Sequence, residues 1–221
     1  MLTSVIIPAH NEENYIQATL ESYKKQIVGY DSFETIVVAN GCNPDDDTAS
    51  IAEDLGAKVV ELKAANVSQA RNEGVKQSSG DLLVFNDADT LVATNYLTAI
   101  QEATSKSYDM GCALFKPENF HPISILYSIL TWGSGYILRD AGGNMFTRRN
   151  LFDKVDGFDP KLKIGEDTDL SRRMKAAGGK YKFLHSTHIK TSMRKFEENG
   201  YFNELFMNQI SPYLKGMFSK K

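Results

Sequence analysis

The chain has 221 residues, 42% of them hydrophobic and 24% charged, with a formal net charge of -3. That balance excludes a disordered chain and a basic nucleic-acid binder. Two cysteines exclude a disulfide framework and suit a reducing, cytoplasmic compartment.

Strand and helix alternate through the first half. TSVIIPA (3–9) is an apolar run that predicts a strand, ended by Pro8 and a polar loop. NEENYIQATLESYKKQ (11–26) carries Ile16, Leu20 and Tyr23 at helical spacing. FETIVVAN (33–40) predicts the next strand, and DDDTASIAEDLG (45–56) a helix with an acidic start and a glycine stop. AKVVEL (57–62), NVSQARNEGVKQSSG (66–80) and DLLVFND (81–87) continue as strand, helix and strand. The N-terminus lacks a basic region before a long apolar core, so no secretory signal is expected.

Such alternation predicts an α/β fold with a mainly parallel sheet and helices on both faces. Ligands of such sheets sit beyond the carboxyl ends of the strands. The polar loops 9–14, 39–47 and 86–90 therefore converge on one crevice. The second half is less regular. FHPISILYSILTWGSGYIL (120–138) is nearly free of charge, but Pro122, Gly133 and Gly135 interrupt it. It predicts a buried or interfacial helix that packs beside the acceptor-binding region or touches a membrane surface, rather than crossing a bilayer. AGGNMFTRRNLFDKVDGFD (141–159) predicts a glycine turn, a short strand and a short helix. In 164–184 acids open a helix and Arg172, Arg173 and Lys175 follow, which suits the helix dipole. One domain over 1–221 is expected, with a nucleotide-side half (1–90) and a smaller acceptor-side lobe (91–221) that ends in a helical extension.

Four stretches carry chemistry. Asp87 and Asp89 end a buried strand, and residues two apart in a turn can point into the same crevice. Two hard oxygen donors suit Mg²⁺ or Mn²⁺ with a substrate phosphate as a further ligand. The alternative is a solvated turn. In GED (165–167) a carboxylate at a loop–helix junction suits a general base, or else caps the helix. Arg71 offers a fixed cation for a diphosphate, or pairs with a surface acid. His185 and His188 follow an aromatic strand, and His188 is the candidate to complete a metal shell. Dinucleotide, Walker A, zinc-protease and serine-hydrolase strings are all missing.

Five segments in order, SVIIPAHNEE (4–13), VVANGCNPDDDTASIAEDLG (37–56), QARNEGVKQSSGDLLVFNDADT (69–90), GGNMFTRRNLFDKVDGFDP (142–160) and GEDTDLSRRMKAAG (165–178), resemble a family 2 glycosyltransferase of the GT-A fold. The resemblance spans roughly the first 185 residues. It implies an inverting, metal-dependent transfer from a UDP- or GDP-sugar to an acceptor hydroxyl on a glycan, lipid-linked or polyprenyl-phosphate acceptor, as in cell-envelope or polysaccharide synthesis. It implies that Pro8, Ala9, Glu12, Asn40 and Arg71 line the nucleotide site. Asp87 and Asp89 would match the D-x-D pair that holds nucleotide and metal. Gly142, Gly143 and Asn144 would border sugar and acceptor, and Asp167 would be the base with Glu166 beside it. The family's D-N-G or D-D-G string is Ala39-Asn40-Gly41 here, so the acid that contacts the base is absent. Two other readings share features. A sugar-phosphate nucleotidyltransferase wants a glycine-rich basic loop where this chain has PAHNEEN. A non-catalytic nucleotide-sugar binder is favoured by Ala39 and disfavoured by Asp87, Asp89 and Asp167.

Overall fold

The computed structural model describes residues 1–27, 33–139 and 144–205. Gly142, Gly143 and the extension from 206 onward lie outside the described residues. Strand β1 (Thr3–Ala9) is buried along its whole length. It pairs in parallel with β2 (Phe33–Asn40) on one side and β4 (Leu82–Phe85) on the other, and β3 (Lys58–Leu62) adds beyond β2. The crossovers are α1 (Ile16–Lys24), α2 (Thr48–Asp54) and α3 (Val67–Lys76). Alternation along the strands decides which helix meets which face. Val5, Ile7 and Val37 pack with Ile16, Leu20 and Tyr23 of α1. Ile6 packs with Val75 of α3, and Ile36 and Val38 pack with its Ala70. Burial of each such aliphatic side chain stabilises the fold by roughly 1.5–3 kcal/mol.

The second half adds β5 (Thr90–Val92), α4 (Tyr96–Ser105), β6 (Met110–Pro117) and α5 (Pro122–Gly133), which runs on into a π-helical turn, Ser134–Leu138. Then come β7 (Met145–Arg148), α6 (Arg149–Lys154), α7 (Glu166–Ala176), β8 (Tyr181–Thr191), α8 (Arg194–Asn199) and α9 (Tyr201–Leu205). The eight strands lie in the order β3-β2-β1-β4-β7-β6-β8-β5. Among the described residues four strand pairs are parallel; β7 is antiparallel to β4 and β6, and β5 to β8. The sheet is therefore mixed beyond β4, with the α/β class and two-sided helix cover that the sequence predicts. No helix among the described residues is long and apolar enough to cross a membrane.

Some boundaries differ from the sequence pattern for local reasons. The helix expected over 11–26 starts only at Ile16. Asn11 sits at φ 55°, and the Glu12 N–H donates to Thr48 Oγ1 at 2.8 Å, so this stretch serves as a site loop. The helix over 66–80 begins where predicted, because Asn66 caps it by accepting the Gln69 N–H at 2.9 Å. Strand β8 runs on through His185 and His188 instead of ending before them.

Two glycines separate packing from backbone entropy. A Cβ on Gly111 would lie 1.9 Å from the Lys182 carbonyl oxygen, in the β6–β8 pair. A Cβ on Gly133 would meet nothing within 4 Å. Gly111→Ala should lower unfolding free energy by roughly 3 kcal/mol, at the upper end of overpacking effects. Gly133→Ala should raise it by about 0.5–1 kcal/mol. Urea unfolding of the two variants checks both signs; a neutral Gly111→Ala would show that β6 and β8 are not packed this closely.

Candidate active site

The chain order of the sheet locates the crevice. From β1 the chain moves outward to β2 and β3, then crosses back to lay β4 on the other side of β1. The direction reverses between β1 and β4, and ligands of open α/β sheets bind at that point. A cavity of about 760 Å³ opens there, lined by Pro8 near the end of β1 and Glu12 beyond it, Asn40 at the end of β2, and Asp87 and Asp89 beyond β4. Arg71 from α3 and Glu166 and Asp167 from α7 close it, and Asn144 borders it. Ala9 lies just behind the rim, where its carbonyl accepts the Asn40 amide N–H at 2.7 Å. Asn40 also accepts the Asn66 N–H at 3.0 Å, so its side chain ties β1 and β2 to the start of α3. Ala39 is buried in β2 and does not line the cavity.

The turn after β4 is built by its own backbone. Asn86, fully buried, donates from its amide to the carbonyls of Asp87 and Thr90 at 3.0 and 2.9 Å. The Thr90 N–H returns to the Asp87 carbonyl at 3.2 Å, and Thr19 Oγ1 donates to the Ala88 carbonyl at 2.7 Å. Both aspartate side chains are thereby turned into the crevice. Arg71, only 3% exposed, holds Asp87 through Nη2 at 3.0 Å and Glu166 through Nη1 at 2.8 Å, with its guanidinium over the Phe158 ring. Burial pulls the Arg71 pKa down, but Asp87 and Glu166 outweigh it and hold the group above its ordinary value. Gly165, at φ 80°, turns the chain into α7 so that Glu166 and Asp167 open the helix. The Asp167 carboxylate accepts the Thr168 N–H at 2.7 Å.

Asp89 carries the strongest charge stress among these groups. Burial first, then Asp87 and Glu12, push it up to about 6 from an ordinary 3.8, against the pull of Lys195 and Arg194. Burial also raises Glu12, whose Oε2 is buried without a hydrogen-bond partner. Hard oxygen donors in surplus, one of them unpartnered, are the chemistry that a divalent cation satisfies. Among the described residues no three such groups surround one point as a formed metal site; Arg194 instead contacts both Glu12 and Asp89. His188 does not join them. Ile189 and Thr191 line the cavity, while His188, with the opposite parity on β8, pairs in register with Leu114 and is not among the lining residues. Gly143, expected at the sugar, lies outside the described residues.

Two groups of lining residues escaped the sequence. Lys195, beside Arg194, follows β8, and no local signal separates that basic pair from a surface pair. Tyr127, Thr131 and Ser134 of α5 and its π-turn also line the cavity. They share the inward side of α5 with Ser124. Ile125, Leu126, Ile129, Leu130, Trp132, Tyr136 and Ile137 are exposed, Ile137 by 74%. This segment is amphipathic the wrong way round for a core helix, and the spacing of its hydroxyl residues does carry that signal.

The Asp89 shift fixes a pH window. Its folded pKa lies above its unfolded one, so the folded chain holds the extra proton between about pH 4 and 6, and stability falls as pH rises through that window. In chelator, Asp89→Asn should be more stable than wild type by about 2–3 kcal/mol above pH ~6.5 and equal to it below pH ~4. Urea unfolding across that range checks it; a pH-independent difference would reject the shift.

The glycosyl transferase family 2 profile matches residues 4–156. "Probable glycosyltransferase YdaM" of Bacillus subtilis is 30% identical over 211 residues, covering 82% of this chain and 48% of its own. "Glycosyltransferase AglE" of Haloferax volcanii is 26% identical over 201 residues, covering 82% and 64%. The chain thus spans less than two thirds of either relative. Among solved structures, Staphylococcus aureus TarS 1-349 in complex with UDP-GlcNAc superposes with a TM-score of 0.73 at 23% identity, over 88% of this chain and 59% of that one. Mannosyltransferase PcManGT from Pyrobaculum calidifontis, in complex with GDP-Man and Mn²⁺, gives 0.72 at 21% identity, over 91% and 59%. The architecture is the GT-A fold that the sequence motifs imply. With its profile matched over well more than half of the residues, the chain belongs to glycosyl transferase family 2.

Proposed function

We propose that this chain moves a sugar from a UDP- or GDP-sugar to an acceptor hydroxyl, with inversion at the anomeric carbon. The observation that carries the reading is the one cavity lined by Asp87, Asp89 and Asp167, in which Arg71 bridges Asp87 to Glu166, the residue before Asp167. Pro8, Glu12 and Arg71 sit where nucleotide and diphosphate enter. Ala39 offers the base no acid, and both ends of the Asn40 amide are engaged elsewhere. Backbone and neighbouring side chains would therefore read the base.

Asp87 and Asp89 would hold a divalent cation, Mn²⁺ or Mg²⁺, with Glu12 beside them. Bound there, such a cation supplies charge neutralisation for the departing diphosphate. Asp167 takes the proton of the acceptor hydroxyl as its oxygen attacks C1 from the face opposite the diphosphate. The bond from C1 to the phosphate oxygen breaks, and its electron pair leaves with the nucleoside diphosphate. Glu166 is the positioning partner, because its carboxylate is occupied by Arg71. Asn144, Thr131 and Ser134 line the part of the cavity left for sugar and acceptor.

Asp167→Asn keeps shape and removes basicity. Transfer at saturating donor should fall by roughly 10²–10⁴-fold, with donor affinity and melting temperature near wild type. If Asp167 only caps α7, turnover survives, since asparagine caps as well. Thermal shift against a panel of UDP- and GDP-sugars, with and without Mn²⁺, identifies the donor and separates transferase from non-catalytic binder once transfer is assayed.

The outward face of α5 supports an acceptor delivered at a lipid surface. Trp132 stacks on Tyr136 with ring centroids 6.2 Å apart, and Ile129 and Ile137 are exposed beside them. Aromatic and apolar residues over a polar cavity wall suit peripheral contact with the acyl boundary. The chain should float with vesicles of anionic phospholipid, and a variant carrying Ile129→Asp and Ile137→Asp should not. Wild type that stays with the unbound fraction would remove the lipid from this reading.

A further inference from the structure

Two acids that line the donor end of the cavity, Glu12 and Asp89, are held by a cation supplied from far along the chain. Arg194 opens α8, just after β8, and its Nη2 contacts the Glu12 carboxylate, 182 positions earlier in sequence. The same nitrogen lies 3.6 Å from Asp89 Oδ2, and the guanidinium rests 4.3 Å over the Tyr15 ring. The chain before α8 is pinned to the β4 turn. The Ser192 N–H donates to the Asp89 carbonyl at 3.1 Å, and the Thr90 and Thr191 hydroxyls bond at 2.8 Å.

This pairing is close to Glu12 but shared through one nitrogen and more open to solvent than that of Arg71. Arg71 gives a separate nitrogen to each of its two acids, at 2.8 and 3.0 Å, and its side chain is 4% exposed. Arg194 serves two carboxylates with one nitrogen, and its side chain is 19% exposed. The acids it serves are also left short. Among the described residues Glu12 Oε2 is buried with no hydrogen-bond partner, and Asp89 has no side-chain hydrogen bond or ion pair shorter than 3.5 Å. A guanidinium is a weak answer to hard, crowded carboxylates, whereas a small divalent cation accepts several oxygens at once. Lys195, next along the chain, already lines the cavity.

We propose that Arg194 is an exchangeable cation of the donor site. It neutralises Glu12 and Asp89 while the site is empty, yields Asp89 to a divalent cation, and turns onto the diphosphate that arrives with it. The inference rests on the reading of Asp87 and Asp89 as the metal and diphosphate end. Its consequence is thermodynamic coupling. Metal alone must displace Arg194 and gains nothing from it. Metal with a nucleoside diphosphate gives Arg194 a new anionic partner, so each ligand strengthens the other.

The test is calorimetric titration of wild type and R194A with Mn²⁺ alone, and with UDP or GDP at saturating Mn²⁺. In R194A, Mn²⁺ alone should bind roughly three- to tenfold tighter, because its competitor is gone. The nucleoside diphosphate should bind roughly tenfold weaker, the scale of one lost charge-assisted contact. R194Q, which keeps length and hydrogen bonding without charge, should move both constants the same way, and it carries the test if R194A melts too low to titrate. R194K should keep most of the coupling. Weakening of both ligands together, or no change in either, overturns the proposal. A wild-type chain that takes up neither Mn²⁺ nor nucleotide defeats the donor-site reading itself, and that failure appears before any variant is made.

Discussion

The site depends on one buried guanidinium. Arg71 bridges acids 16 and 95 residues away in sequence, one from the turn after β4 and one from the start of α7. Removing a cation of that size from water costs several kcal/mol, which only well-placed partners offset. Loss of Glu166, 13% exposed, would leave the guanidinium only Asp87, which is 41% exposed, so the more buried partner matters more. A lysine would bring a single point of charge where the geometry uses two separate nitrogens. Because Glu166 is fixed by this contact, the carboxylate of Asp167 is fixed one residue farther along.

That ion pair works because the sheet brings its partners to one edge. β1 occupies the middle of the parallel half, and α1 and α3 cover opposite faces of it. Every strand of that half points its carboxyl end at the crevice, so acids placed just beyond the strand ends gather without any long-range code. The antiparallel β7 then joins β4, and the strands beyond it carry β8 and the chain leading to α8 toward the same edge. Charge accumulates there faster than it is cancelled, which is the physical state expected of a binding site before its ligand arrives.

How much of this was legible varied with the range of the interaction. The first four strands follow from apolar runs between polar loops, and Asp87 and Asp89 follow from the end of one such run. Boundaries erred where residues serve the site: Glu12 looks like the first turn of a helix, but its N–H donates to Thr48 and only its carbonyl leads into α1. β6 reads as a plain apolar stretch, and β8 mixes Lys, His and Ser into its eleven residues, which blurs its alternation. The insertion of β7 between β4 and β6 is a non-local choice that no window of sequence contains. Arg194 is the extreme case, since its meaning depends on a glutamate near the other terminus. His188 stands apart for the converse reason: residue type suggested a ligand, and strand parity gives the cavity lining to Ile189 and Thr191.

The position of β7 also bears on how the chain is made. β4 is four apolar, fully buried residues, and one of its two edges is covered only by β7. Sixty positions separate Phe85 from Met145, so during synthesis that edge is finished long before its cover exists. At about 5–20 residues per second the gap lasts roughly 3–12 seconds, and the cover must also clear the ribosome. For that interval the nascent protein presents bare strand amides and carbonyls beside Leu82, Leu83, Val84 and Phe85, a template for pairing with a neighbour on the same polysome. The polar residues on both sides, Asp81 before the strand and Asn86 and Asp87 after it, stand where charge breaks up such an aggregation-prone run. The aspartate that serves the cavity in the finished protein would, on that account, already have served the chain as a gatekeeper during translation.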